Sequence, residues 1–218
     1  MTDFAHARRT MVDCQIRTND VTEGRVIDAF FAVPRENFLP AEKKALAYAD
    51  IEIPVGANGA VRHLIPPMIL AKMAQAATIF HTDVILDIGA GTGYSSAVLS
   101  LIGARVVALE SEEAIAAEAR TALAPYGNVT VVTGPLEKGA AASGPYDVII
   151  VEGSVEEIPQ EIFSSLKEGG RLVAVVGRGR SGRATIFVRA GDDFSGRVAF
   201  DAALPPLPGF ALKPVFTF

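Results

Sequence analysis

Apolar and polar positions along this 218-residue chain fall into two textures. Residues 1 to about 80 carry helical spacing punctuated by prolines. Thr22-Glu23-Gly24-Arg25 leads into Val26, Ile27, Ala29 and Phe30, an amphipathic helix that Pro34 stops. Residues 41–49 read as a further short helix, and 54–59 as turn chemistry. Pro66-Pro67 opens a helix over 68–77, since proline is tolerated in a first helical turn. From Asp83 onward, short apolar β-branched runs alternate with helical spacing, the pattern of parallel strands covered on both faces. Strands are expected at 84–88, 105–109, 129–133, 147–151, 171–176 and 184–188, with helices at 94–102, 112–124 and 157–166. The result is an α/β fold. A doubly wound, mostly parallel sheet over 81–218 would bind its ligand at the carboxyl ends of its strands, near the switch in strand order. Residues 1–80 form an N-terminal helical extension packed on it. The proline- and phenylalanine-rich tail from Asp201 to Phe218 is expected to cover a sheet edge or a partner surface, which makes a homodimer one candidate assembly.

Composition narrows the classes. Half the residues are apolar and 21% charged, as in a globular chain able to bury about 70% of its unfolded surface. A net charge of -5 argues against binding nucleic acid by phosphate neutralisation, and the basic cluster at 178–183 reads as a solvated loop. The single cysteine, Cys14, excludes an internal disulfide and reads as a small buried hydrophobe in a helical segment. The charged N-terminus does not read as a signal peptide, and no apolar run reaches the length of a membrane span. A cytoplasmic protein with no membrane or nucleic-acid partner is expected. No metal-ligand cluster appears.

The densest chemistry lies where the first strand ends: Asp87-Ile88-Gly89-Ala90-Gly91-Thr92-Gly93-Tyr94. Glycines at a strand-to-helix turn admit positive φ and a close ligand, and the helix beyond offers unpaired N–H groups. A dinucleotide fingerprint spaces its glycines as G-x-G-x-x-G. Here the third glycine comes one residue early and an acid stands two before the first, which disfavours a nicotinamide-dependent dehydrogenase. This D-x-G-x-G-x-G form resembles motif I of the class I S-adenosylmethionine-dependent methyltransferases. Asp87 can order the loop or hold the cofactor's ammonium group. Glu110, followed by Ser111, closes the second strand about twenty residues after the first glycine, where a carboxylate can grip two ribose hydroxyls. The plainer reading makes both acids helix caps. The third strand ends in Gly134-Pro135-Leu136, where the class resemblance implies an adenine-reading acid; Leu136 can still pack on the adenine face. Glu152, after the fourth strand, stands where an acid can orient or deprotonate an acceptor.

Further blocks carry a narrower resemblance. Val33-Pro34-Arg35-Glu36-Asn37-Phe38-Leu39-Pro40, then Ala47 to Gly56, Pro145 to Val151 with Ile158-Pro159, and Leu166 to Gly177 resemble the protein-L-isoaspartate O-methyltransferase family over roughly residues 12 to 190. The resemblance implies a seven-stranded Rossmann-like methyltransferase sheet and methyl transfer from S-adenosylmethionine to the carboxylate of an isomerised aspartate. It also implies a Thr-Ile-Ser-x-Pro segment whose hydroxyls hold that carboxylate. Here the segment reads His63-Leu64-Ile65-Pro66-Pro67, and Ile65 offers no hydroxyl. Arg62, Ile65 and Pro67 are read as lining the substrate side, His63 as a base for a hydroxyl or amine acceptor or, with Arg62, as an anion holder, against a plain loop histidine. A charged Glu152 would repel a carboxylate by about 1 kcal/mol or more. The acceptor therefore stays open between isoaspartyl protein or peptide and another protein or small molecule. A catalytically inactive cofactor-binding or scaffolding homologue is the alternative.

Overall fold

The computed structural model describes residues 3–56 and 62–212, so Ala57, Asn58 and Gly59 of the expected turn and 213–218 of the tail lie outside the described residues. Helix α1 (Phe4–Met11) starts at Asp3, whose carboxylate accepts the His6 N–H at 3.0 Å. Looser turns carry the chain to α2 (Gly24–Ala32), which ends before Pro34, and α3 (Pro67–Ala76) opens on its expected proline. Residues 41–49 form only a tighter 3-10 stretch, Ala41–Leu46, because none of its residues is buried and no apolar face holds a longer helix. Cys14 is exposed, contrary to the buried position read from its neighbours. A hairpin that periodicity does not reveal pairs β1 (Ile53–Val55) with β2 (Arg62–Leu64), setting Pro54 opposite His63. Three residues per strand are too few to show a period.

The central sheet holds β3 (Val84–Ile88), β4 (Arg105–Glu110), β5 (Val129–Thr133), β6 (Tyr146–Val155), β7 (Leu166–Val176), β8 (Arg183–Ala190) and β9 (Asp193–Asp201). Their order is β5-β4-β3-β6-β7-β8-β9, and only the β7–β8 and β8–β9 pairings are antiparallel. Strand β9 is absent from the sequence reading because most of it is exposed and it lacks an apolar run. Helices α4 (Tyr94–Ser100) and α5 (Glu113–Leu123) fall where expected. The third shrinks to α6 (Gln160–Ser164), since Pro159 fixes its start and Leu166 already belongs to β7.

Strand residues alternate between two cores. Ile85, Val106, Val148 and Ile150 join the N-terminal helices in one, while Leu86, Val107, Ile149 and Leu172 form the other. The chain moves outward from β3 to β5 and then returns to β6 on the other side of β3. Strand ends diverge at that switch, and a crevice opens there. The C-terminal segment lies on it rather than on a sheet edge. Ser154 N–H donates to Pro205 O at 2.9 Å, Leu207 N–H to Ser154 O at 2.9 Å, and Glu156 N–H to Phe210 O at 3.1 Å. Among the described residues, no helix is long and apolar enough to cross a membrane.

Candidate active site

Asp87 ends β3 fully buried. Its Oδ2 accepts the Ser95 and Ser96 hydroxyls at 2.7 and 2.6 Å, which anchors the glycine loop to the start of α4. Burial pushes its carboxyl up to about 6, partly opposed by those two serines, and the charge of Glu110 pushes it further up. Gly89, Gly91 and Gly93 all take positive φ. The loop's N–H groups are largely spent inside the protein: Gly89 and Ala90 donate to Leu109 O, Gly91 to Glu110 Oε2 and Gly93 to Ala90 O. A Cβ at Gly89 would stand 2.9 Å from Leu207, and one at Gly153 only 2.5 Å from it. The two glycines thus make the groove that Leu207 fills.

Glu110, at the end of β4, is fully buried and well supplied with donors. Its Oε1 accepts the N–H groups of Ser111 and Glu112 at 2.7 and 3.1 Å and Arg62 Nε at 3.0 Å. Arg62, 5% exposed, also donates to the Ser111 hydroxyl. The β1–β2 hairpin therefore delivers Arg62 to the Glu110 side and not to the acceptor side. The reason is electrostatic: a buried carboxylate favours a buried cation within reach. Beyond β5, a cleft of about 390 Å³ is lined by Ser111, Gly134, Leu136, Glu137, Pro208 and Gly209.

On the other side of β3, β6 carries a bulge. Its pairing with β7 jumps from Ile150↔Val173 to Ser154↔Val175, so Val151 to Gly153 leave the regular register. Bulges re-aim side chains, and Glu152 sits in this one. It is 7% exposed and its Oε1 has no hydrogen-bond partner. Burial and the neighbouring Asp87 hold its carboxyl well above the ordinary range, with Arg35 opposing them weakly. Arg35, His63, Ile65, Gly89, Tyr94 and Glu152 share the wall of one cavity of about 10 Å³. The hydroxyl of Tyr94 is buried without a partner, and burial pushes it up to about 12 against the pull of Arg35.

The model of the family described as protein-L-isoaspartate(D-aspartate) O-methyltransferase matches residues 6–203. The chain belongs to this family. A Koribacter versatilis protein-L-isoaspartate O-methyltransferase is 38% identical over 179 residues, 81% of this chain and 79% of its own length. One from Roseiflexus castenholzii is 37% identical over 210 residues, 95% of this chain and 94% of its own. A solved protein-L-isoaspartate O-methyltransferase matches with TM-score 0.82 and 27% identity, covering 93% of this chain and 66% of that longer one. The chain is thus an S-adenosylmethionine-dependent methyltransferase with the α/β sheet of its family.

The residues present suit that cofactor. Asp87 Oδ1 and Glu152 Oε1 are buried oxygens without partners, which suits a cationic group, and Glu110 offers a carboxylate beside a loop with little side-chain bulk. In the described arrangement Arg62 holds Glu110 and Leu207 fills the Gly89–Gly153 groove. Several expected site residues serve the scaffold. A Cβ at Gly93 would meet Leu123 of α5, so that glycine allows helix packing, and Pro67 begins α3 outside the small cavity's wall. Sequence reasoning missed Arg35, which it had only as part of a family block, and Glu137. The latter stands one residue past Leu136 in the turn Leu136–Lys138 and lines the cleft beyond β5. An acid so close to the expected adenine-reading position was a signal available in the sequence.

Proposed function

We propose that this enzyme methylates the carboxylate of an isoaspartyl residue in a protein or peptide, as its relatives' names state of them. The family match over residues 6–203 and the names of relatives 37–38% identical carry the reading. A hydroxyl or amine acceptor has to lose a proton and needs a basic group beside it. Burial and Asp87 raise the Glu152 carboxyl well above its ordinary range, so it is less readily charged beside an acceptor. A carboxylate acceptor needs no base. When bound, S-adenosylmethionine would supply a sulfonium methyl group open to in-line attack by an acceptor oxygen, the O–C bond forming as the S–C bond breaks, which gives a methyl ester and a neutral thioether with no proton released. With its carboxyl raised in this way, Glu152 repels such an acceptor less than a freely ionised glutamate would. His63, half-buried in the same wall, then serves as a polar neighbour and not as the base.

On the cofactor side, Glu110 takes the ribose hydroxyls once Arg62 yields it, and Asp87 faces the ammonium group. Leu136 packs on the adenine, and Glu137 accepts from its amino group in place of the acid that Pro135 replaces. Labelled methyl transfer to a peptide carrying one isoaspartyl residue, beside its aspartyl twin, tests the acceptor. Base-labile label on the isoaspartyl peptide alone is expected. Base-stable label, or equal labelling of the two, overturns the reading.

A further inference from the structure

Six buried side-chain polar atoms lack a hydrogen-bond partner among the described residues, and five of them belong to Arg35, Asp87, Tyr94 and Glu152. Among the described residues, almost all of the unsatisfied buried side-chain polarity lies at one place. Arg35 contributes two of these atoms, Nε and Nη1. It is wholly buried in the short turn Arg35–Phe38 that follows Pro34. Its Nη2 donates to Ile65 O at 3.0 Å, and its guanidinium lies 4.5 Å from the centre of the Tyr94 ring, whose hydroxyl and the nearby Glu152 act on its charge without closing a hydrogen bond to Nε or Nη1.

Each unpaired buried donor is destabilising, so a scaffold gains nothing by leaving two on one arginine. The nearest acid in the same wall, Glu152, does not close the pair, and its own oxygen is left over. A guanidinium 4.5 Å from the centre of an aromatic ring, with Nε and Nη1 unpaired, offers the fork that matches a carboxylate. Ile65 supplies only its carbonyl, and Arg35 already uses it.

We propose that Arg35 binds the carboxylate of the methyl acceptor through its free Nε–Nη1 edge. This rests on the carboxylate-acceptor reading above. Cations and acids then alternate across the strand ends, with Arg62 and Glu110 at β4 and Arg35 and Glu152 at β6. The cavity of about 10 Å³ holds one water at most, so the acceptor enters as its wall moves. Leu207, laid over Gly89 and against Gly153, adjoins that wall. The carboxylate of the cofactor's own amino-acid end is the other source of the same chemistry, and the test separates the two.

The variant is Arg35→Met, which keeps the length and removes the fork. Thermal unfolding at or above the parent's is expected, because an unpaired buried cation is removed; a structural arginine would lower it. With the isoaspartyl peptide, KM should rise at least tenfold, while calorimetric affinity for S-adenosylhomocysteine stays within twofold. Arg35→Lys, which keeps the charge and loses the fork, should recover part of the KM and covers the case in which Arg35→Met folds poorly. A KM within twofold of the parent's for both variants overturns the assignment and leaves the acceptor reading standing. A tenfold loss of S-adenosylhomocysteine affinity at unchanged peptide KM assigns Arg35 to the cofactor and also overturns it. A parent enzyme that does not methylate the isoaspartyl peptide removes the acceptor reading, and this assignment with it.

Discussion

Two buried arginines and two buried glutamates flank β3, and the two neighbourhoods are built oppositely. At the end of β4, Arg62 and Glu110 meet at 3.0 Å, and backbone N–H groups take up the remaining capacity of the carboxylate. At the end of β6, Arg35 and Glu152 share a cavity wall without pairing, and both keep free polar atoms. Burial is nearly the same in both places, at 5% and 0% exposure for Arg62 and Glu110 and 0% and 7% for Arg35 and Glu152. Burial alone therefore does not tell the two neighbourhoods apart. What differs is unspent hydrogen-bonding capacity, which a fold left to itself keeps small among its buried polar groups.

The sharpest way to break this comparison is to remove the paired cation. Arg62→Ala should destabilise the protein by about 3 kcal/mol in urea unfolding, since Glu110 is left buried without its partner. A loss under about 1 kcal/mol would mean that the backbone donors suffice and that the contrast with Arg35 is illusory. Next in size is Leu207→Ala, expected to cost about 2 kcal/mol, near the lower end for a buried leucine. It should loosen the C-terminal segment in hydrogen exchange at Leu207 and Glu156, whose amides bond across the crevice. S-adenosylhomocysteine should bind the variant at least as tightly as the parent; weaker binding would make Leu207 part of the cofactor seat and not a cover over it.

The smallest effect concerns Glu152. An acid whose folded pKa is raised binds its proton more tightly folded than unfolded, so stability falls as pH rises from the unfolded value, about 4, through the folded one. For Asp87 that window closes at about 6; for Glu152, raised well above its ordinary value, it continues upward. Glu152→Gln should change stability at pH 5 by less than about 1 kcal/mol, as a neutral near-isostere. It should also flatten the decline above pH 6 in urea unfolding. An unchanged slope there would mean that burial does not raise the Glu152 carboxyl, and its full repulsion of a carboxylate acceptor would return.

Legibility differed in the same way between the two sides. The glycine loop, Asp87 and Glu110 could be read because local spacing sets them: a strand, a turn without side chains and an acid at the next strand end. The hidden elements are those whose partners lie far off in sequence. Strand β9 is mostly exposed and announces itself only by pairing with β8. The hairpin brings Arg62 to Glu110 across 48 residues of separation. Arg62 and His63 are adjacent, yet they serve opposite sides of the site because successive strand residues point to opposite faces.

The sequence by itself determined the α/β alternation, the cofactor and the family, since periodicity, glycine spacing and ordered blocks all lie along the chain. The tertiary structure alone decided which buried charges are paired. It set Arg62 on Glu110, raised Glu152 into the cavity through a bulge in β6, laid Leu207 over two glycines and left Arg35 with an open edge. Pairing depends on desolvation and on distances of a few ångströms between segments far apart in sequence, and no local pattern encodes them.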